Sequence, residues 1–204
     1  MVAAIVLAAG ASTRMGSPKC VLPYGSATMI EAVAGTAEAA GLDPVVVVTG
    51  FDEDVVSGVV GGSSRVVHNP RAESGNLSSL LVGLDAVGDV VAAIVMLADM
   101  PEVDSGVVSA LARGIVHSKS LGGWVEYTDG RGHPIALGRG TFDDVRTLRG
   151  SKPLWPHLSS LPDDDRFVLR VESPRPVDVN TPEDYKRVTR RYGRAQDEVR
   201  RIDP

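Results

Sequence analysis

A run of small residues followed by two cations stands near the start of the chain, a combination suited to binding phosphate. Residues 8–12 read AAGAS, and Arg14 and Lys19 come shortly after them. A loop with so little side chain can present several main-chain N–H groups to phosphate oxygens, while Arg and Lys supply full positive charge. The dinucleotide fingerprint G-x-G-x-x-G and the P-loop pattern G-x-x-x-x-G-K-[ST] are both absent here. We therefore predict a nucleotide-binding loop of another kind.

A carboxylate follows the most apolar run of the chain. Asp99 comes two residues after the run Ala92–Leu97, within the sequence LADMP. Ligands of open α/β sheets bind at the carboxyl ends of the strands, so this position suits a metal-bound phosphate. Mg²⁺ takes one or two protein carboxylates and completes its octahedron with phosphate oxygens and water. An Asp at a strand end can also form a turn or cap a helix, and the residue type alone leaves both interpretations open.

A second polar pair, Asp178 and Asn180, lies in the sequence PVDVNTPED. Residues two apart in an extended segment project to the same face, so these two side chains are expected to point together. The residues that follow, Thr181, Glu183 and Asp184, are explained as the cap and acidic first turn of a helix. We predict one polar face at Asp178 and Asn180, and a helix immediately after it.

The sequence LAAGASTRMGSPK, residues 7–19, resembles the signature of the nucleoside-triphosphate transferase superfamily, and most closely that of its molybdenum cofactor cytidylyltransferase group, the MobA-like NTP transferases. The segments LADMP and DVNTPED resemble the metal motifs of that family. The resemblance implies an enzyme, a Mg²⁺-dependent nucleotidyltransferase that moves a CMP group from CTP to a phosphorylated acceptor and releases pyrophosphate. The acceptor that it implies is the molybdenum cofactor, molybdopterin.

Roles for individual residues also follow from the resemblance. It implies catalytic roles for Arg14, Lys19 and Asp99, and Mg²⁺ ligation by Asp99, Asp178 and Asn180. The implied nucleotide-binding residues are Leu7, Ala8, Ala9, Gly10, Ser12, Arg14, Lys19, Gly75, Ser79 and Asp99.

Two of these positions bear on specificity. Asn180 stands where the cytidylyltransferases usually show Asp, and an amide oxygen binds Mg²⁺ less strongly than a carboxylate. Ala9 stands where the guanylyltransferase relatives carry a second Gly, which favours CTP over other nucleoside triphosphates.

The acceptor side is less well defined. The stretch DGRGHP, residues 129–134, resembles the family segment near the acceptor and implies acceptor binding by Arg131, Gly132, His133 and Pro134. Isolated His residues are more often structural than functional. Residues 148–155 depart from the family's G-D-x-G-A-R-like stretch, which leaves the pterin acceptor open. Trp155 either stacks on a different phosphorylated acceptor or packs the domain edge.

Repeated βα units would bring these residues to one place, because apolar runs alternate with segments of helical spacing. The strands predicted in the first half are Ala3–Leu7, Val45–Thr49, Arg65–His68 and Ala92–Leu97, and the helices are Thr28–Ala40, Asp52–Val60 and Asn76–Val87. The elements predicted after them are helices at Asp104–His117, Phe142–Arg149 and Pro153–Leu158 and strands at Trp124–Thr128, Pro134–Leu137 and Phe167–Val171, with a loop at 129–133.

The predicted fold class is α/β, a three-layer α/β/α arrangement with a Rossmann-like, mostly parallel sheet and a small mixed β subregion in the second half. The resemblance implies the nucleotide-diphospho-sugar transferase type of this fold. We predict a single NTP transferase domain over residues 1–190 and a basic C-terminal tail over residues 191–204, which the interspersed acidic residues identify as a solvated helix rather than a nucleic-acid arm.

Composition limits the partners. The formal net charge of -5 gives no bulk attraction to nucleic acid or to an anionic membrane, so we expect a small phosphate-bearing ligand. The single cysteine, Cys20, excludes an intramolecular disulfide and fits a reducing compartment. The first apolar run is too short to span a bilayer and has no basic leader, so a cytoplasmic location is predicted. The resemblance adds a molybdoenzyme or its maturation chaperone as a protein partner.

Three alternatives remain from the sequence. The protein could transfer a nucleotide to another acceptor, such as a sugar phosphate, or bind a nucleotide without turning it over. An NAD(P)-dependent oxidoreductase is compatible with the βα pattern but not with the phosphate-binding loop.

Overall fold

The computed structural model describes residues 1–12, 15, 17–150 and 153–202, and of residues 196–202 only the backbone. Its strands are β1 (Val2–Leu7), β2 (Pro23–Tyr24), β3 (Ala27–Thr28), β4 (Val45–Thr49), β5 (Arg65–His68), β6 (Ala92–Leu97), β7 (Gly122–Tyr127), β8 (Gly130–Gly138) and β9 (Arg166–Arg170). Its α-helices are α1 (Met29–Ala39), α2 (Glu53–Ser57), α3 (Asn76–Ala86), α4 (Ser105–Ser118), α5 (Phe142–Thr147), α6 (Leu154–Ser160) and α7 (Pro182–Ile202).

The described strands form a large sheet in the order β5-β4-β1-β6-β8-β7-β9, while β2 and β3 make a separate short hairpin. The first four strands of the large sheet are parallel, and β8 is antiparallel to both of its neighbours, β6 and β7. The outermost strand, β9, is again parallel to β7. This mostly parallel sheet with a mixed second half confirms the predicted fold class.

Helices cover both faces of the sheet, as the continuous Val and Ile content of its strands predicts. Along β1, Val6 faces a core that contains Val33 of α1 and Leu111 of α4. Its neighbour Ile5 faces the opposite core, which contains Leu84 of α3 and residues of α5 and α6. The three-layer α/β/α arrangement follows from this alternation.

The second half of the sheet differs in detail from the sequence prediction. The predicted loop at 129–133 is wrong, because most of it belongs to β8, which begins at Gly130 after a two-residue hairpin turn. Strand β7 begins at Gly122 rather than Trp124. Glycine weakens strand propensity, but here it allows close packing, since a Cβ on Gly123 would lie 2.6 Å from the carbonyl oxygen of Phe167 in β9. The helix predicted at Asp52–Val60 is also shorter, at Glu53–Ser57.

The last helix runs without a break through the boundary predicted at residue 190. It begins where predicted, and Asp184 Oδ2 accepts hydrogen bonds from the main-chain N–H groups of Asn180 and Thr181. Farther along, the ring of Tyr192 packs against Tyr24 of the short hairpin, with centroids 4.7 Å apart. Val188 is buried in the same contact. Helix α7 is therefore docked on the domain at least as far as Tyr192.

In the part of the chain that the structure describes, no helix combines the length and the apolar character needed to cross a bilayer.

Candidate active site

The loop after β1 folds back on itself and carries Lys19 toward the sheet. Ala8 still follows the sheet, because its N–H donates to the carbonyl of Val48 over 2.9 Å. Ser12 then adopts a left-handed conformation, with φ of 48°. Its Oγ accepts a hydrogen bond of 3.0 Å from the N–H of Lys19, and its carbonyl accepts one of 2.9 Å from Met15. Ser12 thus ties together the two ends of the loop.

Of the predicted loop residues, Arg14 lies outside the described part of the chain, together with Thr13 and Gly16. The catalytic and nucleotide-binding roles of Arg14 therefore stay predictions.

Lys19 joins two segments that are far apart in sequence. Its ammonium forms an ion pair with Oδ2 of Asp99 and donates a hydrogen bond of 3.0 Å to Oδ1 of Asn180. The side chains of Lys19 and Asp99 are only 17% and 16% exposed. Positive charge thus lies between two of the residues implied as metal ligands.

Asp99 itself has the surroundings of a cation ligand. Burial raises the pKa of its carboxyl group to about 6, against the opposing charge of Lys19, and the carboxylate of Asp178 raises it further. Its Oδ1 is buried and has no hydrogen-bond partner among the described residues. A buried acceptor without a partner costs free energy unless a ligand satisfies it. The carboxylate oxygen Oδ1 of Asp99 is therefore suited to bind a cation.

The segment before α7 runs along the end of β6 and places Asp178 and Asn180 beside Asp99. The N–H of Val179 donates to the main-chain carbonyl of Asp99 over 3.0 Å. Val177 and Val179 point into the buried cluster under α7, while the two polar side chains line the opposite side. The alternation is the one that an extended segment predicts.

The side-chain oxygens at this site suit a divalent metal ion that prefers oxygen ligands. Among the described residues there is no group of three or more His, Cys, Asp and Glu side chains that could hold a metal. The candidate ligands are instead two carboxylates and one amide oxygen, from Asp99, Asp178 and Asn180. An all-oxygen set with few protein charges fits Mg²⁺ or Mn²⁺, whose remaining positions are filled by phosphate and water.

A cavity of about 240 Å³ opens at the carboxyl ends of β1 and β6, and we call it the donor cavity. Apart from Arg14 and Gly75, all of the predicted nucleotide-binding residues line it: Leu7, Ala8, Ala9, Gly10, Ser12, Lys19, Ser79 and Asp99. Gly75 has φ of 95° at the start of α3 and does not line the cavity. Its neighbour Asn76, the first residue of α3, does line it, and sequence reasoning missed that residue although it directly follows Gly75.

A buried hydrogen-bond network supports the side of the donor cavity that is lined by Ser79. The amide nitrogen of Asn69, which is 1% exposed, donates to the hydroxyl groups of Ser78 and Ser79 over 2.9 Å each. Its amide oxygen accepts from the N–H of Arg71. Asn69 thereby fixes the orientation of Ser79 toward the cavity, a role that the sequence alone did not reveal.

A second and larger cavity, of about 700 Å³, adjoins the first, and we call it the acceptor cavity. Leu97 and Asp178 line both cavities. Of the residues predicted to bind the acceptor, Arg131, Gly132 and His133 line this cavity. Pro134 does not, because it is buried within β8.

His133 forms part of the wall as a neutral ring. Burial lowers its pKa to about 4, and its Nδ1 lies 3.4 Å from the carbonyl oxygen of Val95. An imidazole with this pKa is uncharged near neutral pH, so His133 gives the cavity a flat, uncharged surface rather than a cation.

Trp155 packs against neighbouring rings of the domain and also lines the acceptor cavity, so its stacking on an acceptor stays a prediction. It packs edge-on against Trp124 and His133, with centroid distances of 6.4 and 6.0 Å. It also lines the acceptor cavity, where the guanidinium of Arg131 lies 4.9 Å from its ring centroid. Lys152, three positions before Trp155 in the sequence, lies outside the described residues.

Residues 4–165 match the family model of the MobA-like NTP transferase domain. The chain belongs to this family. The match covers the loop after β1, the end of β6 and the β7–β8 hairpin, and thus most of the site just described. The predicted membership is confirmed, and nucleotidyltransferase chemistry and nucleotide binding come with it. No curated protein matches the chain.

Solved structures agree with this membership. The Rv0371c homolog from Mycobacterium sp. strain JC1 is 31% identical, with a TM-score of 0.83 over 95% of this chain and 98% of that one. A nucleotidyl transferase from Methanothermobacter thermautotrophicus is 29% identical, with a TM-score of 0.74 over 96% and 99% of the two chains. Rv0371c from Mycobacterium tuberculosis H37Rv, in complex with manganese, is 28% identical, with a TM-score of 0.75 over 93% and 97%. At least one homologous protein therefore binds a divalent metal.

Proposed function

We propose that this protein is a Mg²⁺-dependent nucleotidyltransferase that transfers CMP from CTP to a phosphorylated acceptor, with a molybdopterin-type acceptor as the first candidate. The observation that carries the proposal is the junction of Lys19, Asp99 and Asn180, which sets a largely buried ammonium and a carboxylate oxygen without a hydrogen-bond partner among the described residues at the carboxyl ends of β1 and β6. A protein partner, such as a molybdoenzyme or its maturation chaperone, and a cytoplasmic location belong to the same proposal.

The donor cavity supports nucleotide binding through its main chain. The loop of small residues leaves room for a ligand, and Lys19 brings a full positive charge to the phosphates. Because this cation and its partners are largely withdrawn from water, their interactions with phosphate are stronger than those of surface charges. Arg14, in the same loop, is proposed as a second cation.

Asp99, Asp178 and Asn180 are the residues that would hold the metal ion. The bound ion would supply charge neutralisation for the phosphate oxygens. The buried Oδ1 of Asp99 supports this assignment, since it has no partner in the described part of the chain and an oxygen-binding cation would satisfy it.

The transfer needs no covalent intermediate with the enzyme. An oxygen of the acceptor phosphate forms a bond to the α-phosphorus of CTP, and the bond between that phosphorus and the pyrophosphate oxygen breaks. The protein contributes by orienting the two substrates in adjoining cavities and by placing Lys19 and Arg14 against the growing negative charge. The shared wall at Leu97 and Asp178 supports in-line approach from the acceptor cavity.

The test is a panel of nucleoside triphosphates assayed for Mg²⁺-dependent binding and pyrophosphate release, with and without molybdenum cofactor. We expect CTP with the cofactor to give the highest rate. Binding without pyrophosphate release for any acceptor would identify a nucleotide-binding module instead and would overturn the proposal.

A sugar phosphate is the second candidate acceptor, because residues 148–155 depart from the family pattern and one of them, Trp155, lines the acceptor cavity. Release of pyrophosphate with sugar phosphates but not with molybdenum cofactor would select this candidate. The donor half of the proposal is the same in both cases.

A further inference from the structure

We propose that the acceptor cavity contains an anion subsite formed by Arg187 and Arg191 of α7, which binds a second anionic group of the acceptor, a carboxylate or a phosphate, away from the phosphate that reacts. The inference rests on the proposed function for its acceptor but assigns a binding role to the C-terminal helix, which lies beyond the family match that ends at residue 165.

The two arginines lie on the same side of α7 and face the acceptor cavity. Residues four apart on a helix lie on the same side, one turn apart, so Arg187 and Arg191 present neighbouring guanidinium groups. Both line the acceptor cavity, which at Asp178 meets the donor cavity. A ligand held at α7 can therefore extend along one continuous space toward the nucleotide.

The wall of the acceptor cavity is rich in arginine. Arg131 and Arg175 line the same cavity as Arg187 and Arg191, and Arg175 is already paired with the lining residue Asp129 over 3.3 Å. The other acidic lining residue, Asp178, lies where the cavity meets the donor cavity. Cations gathered on one concave surface attract an anionic ligand, so the wall formed by Arg187 and Arg191 is suited to an anionic group.

The existing ion pairs orient these arginines without using all of their donors. Arg191 donates to Glu102 over 3.2 Å, and Arg187 to Asp184 over 3.4 Å. Glu102 is only 14% exposed and also accepts a hydrogen bond from the N–H of Val177. Each guanidinium has five N–H donors, so one such bond fixes its direction and leaves others for a ligand.

Stability alone does not account for the arrangement. The side chains of Arg187 and Arg191 are 54% and 53% exposed, and ion pairs so exposed contribute roughly 0–1 kcal/mol each. Arginine is nevertheless the residue best suited to bidentate binding of carboxylate and phosphate.

The remaining wall indicates what joins the two anionic groups. The ring of Trp155 and the neutral ring of His133 both line this cavity, with their planes 82° apart. A planar ring in the acceptor would stack on one of these two rings. The subsite therefore fits a planar phosphorylated compound that carries a second anionic group.

Two small probes test this directly. Phenyl phosphate offers a ring and one phosphate, and 4-carboxyphenyl phosphate adds a carboxylate to the same skeleton. We would measure the affinity of the full chain for both by calorimetry, with CTP present. We expect 4-carboxyphenyl phosphate to bind at least about tenfold more tightly than phenyl phosphate, because its carboxylate gains charge-assisted hydrogen bonds to two guanidinium groups.

The variants are Arg187→Ala/Arg191→Ala and, as a matched control, Arg190→Ala/Arg194→Ala, which removes the same charge from the same helix without touching the acceptor cavity. We expect the first pair to abolish the advantage of 4-carboxyphenyl phosphate and the control to preserve it. Both should leave CTP affinity unchanged, and thermal unfolding should show that both variants remain folded.

Equal affinities of the two probes for the wild type, or an equal loss in both double variants, would overturn the inference. Arg131→Ala, on a different element, is a second variant. We expect it to weaken the binding of both probes, and by less than Arg187→Ala/Arg191→Ala weakens the binding of 4-carboxyphenyl phosphate. Failure of the proposed function is a separate result: absent pyrophosphate release with a preserved probe difference would reject nucleotidyl transfer and keep the anion subsite.

Discussion

The donor and acceptor cavities are adjacent but built in opposite ways. The donor cavity depends on small residues and on a few buried charges, with Lys19 and Asp99 each less than one-fifth exposed. The acceptor cavity is larger, and its arginines are about half exposed. Buried charges act strongly on a ligand in a fixed position, whereas exposed charges are weaker, screened by salt and tolerant of different ligands. We infer that the donor side fixes the chemistry and that the acceptor side selects the substrate.

The largest expected effect comes from the buried charges of the donor side. Lys19→Ala and Asp99→Ala should each lower the rate of pyrophosphate release by about 100-fold or more, because a preorganised charge at the transferring phosphate is lost. Circular dichroism should show an unchanged fold. Lys186→Ala and Asp89→Ala, at exposed positions, serve as controls and should retain the wild-type rate. Unchanged turnover in either donor-side variant would contradict the assignment.

Metal affinity should follow the ionisation of Asp99. Its pKa is raised to about 6, so its carboxylate is largely protonated at pH 5 and ionised at pH 7.5. Since a metal ion binds the deprotonated form, affinity for Mn²⁺ should fall about tenfold between pH 7 and pH 5 and level off above pH 7. Calorimetric titration across this range measures the effect. A flat profile, or the same profile in Asp99→Asn, would argue against Asp99 as the ligand.

On the acceptor side, Trp155→Phe should have a smaller and more selective effect. The change keeps an aromatic ring against Trp124 and His133 but reduces the stacking surface of the cavity. We expect the KM for the acceptor to rise several-fold while the KM for CTP stays the same. Trp124→Phe removes the neighbouring indole, which does not line the cavity, and is the matched control. A parallel rise in both KM values would show that the cavities are not independent.

The smallest expected effect concerns the choice of nucleotide. Ala9 is buried, lines the donor cavity and packs closely against Gly50, where an added Cβ would lie 2.8 Å from the Cβ of Ala9. Ala9→Gly should open space in the cavity and raise the use of GTP relative to CTP by about tenfold or less, as expected for one methyl group. Competition between the two triphosphates in one assay measures the ratio, and an unchanged ratio would remove Ala9 as the determinant.

The first half of the fold was predictable because its signals are local. The parallel strands are continuous apolar runs, and the observed limits of β4, β5 and β6 equal the predicted ones. The second half was harder, because β7 starts with two glycines and β8 contains the turn-like stretch GRGHP. The glycines of β7 lie in a strand because β8 and β9 pair with it on either side, and residues 130–132 of the GRGHP stretch extend because β7 pairs with them. The Asp-Gly pair at 129–130 was the available signal for a tight hairpin.

The predicted site divides in the same way. The motif residues Lys19, Asp99 and Asn180 could be named from sequence, since each stands in a distinctive local pattern. Asn69, which positions Ser79, could not, because a buried asparagine is recognisable only when its hydrogen-bond partners are known.

The sequence by itself determined the family, the layered α/β fold and the donor-side residues, because these depend on local patterns of residue type along the chain. Only the tertiary structure placed Arg187 and Arg191 in one cavity with His133 and Trp155, and this cavity shares Asp178 with the donor cavity. Charged residues on a helix look like any solvated face until the fold shows which surface they meet. The basic wall of the acceptor cavity could therefore be recognised only from the tertiary structure, which brings distant segments together.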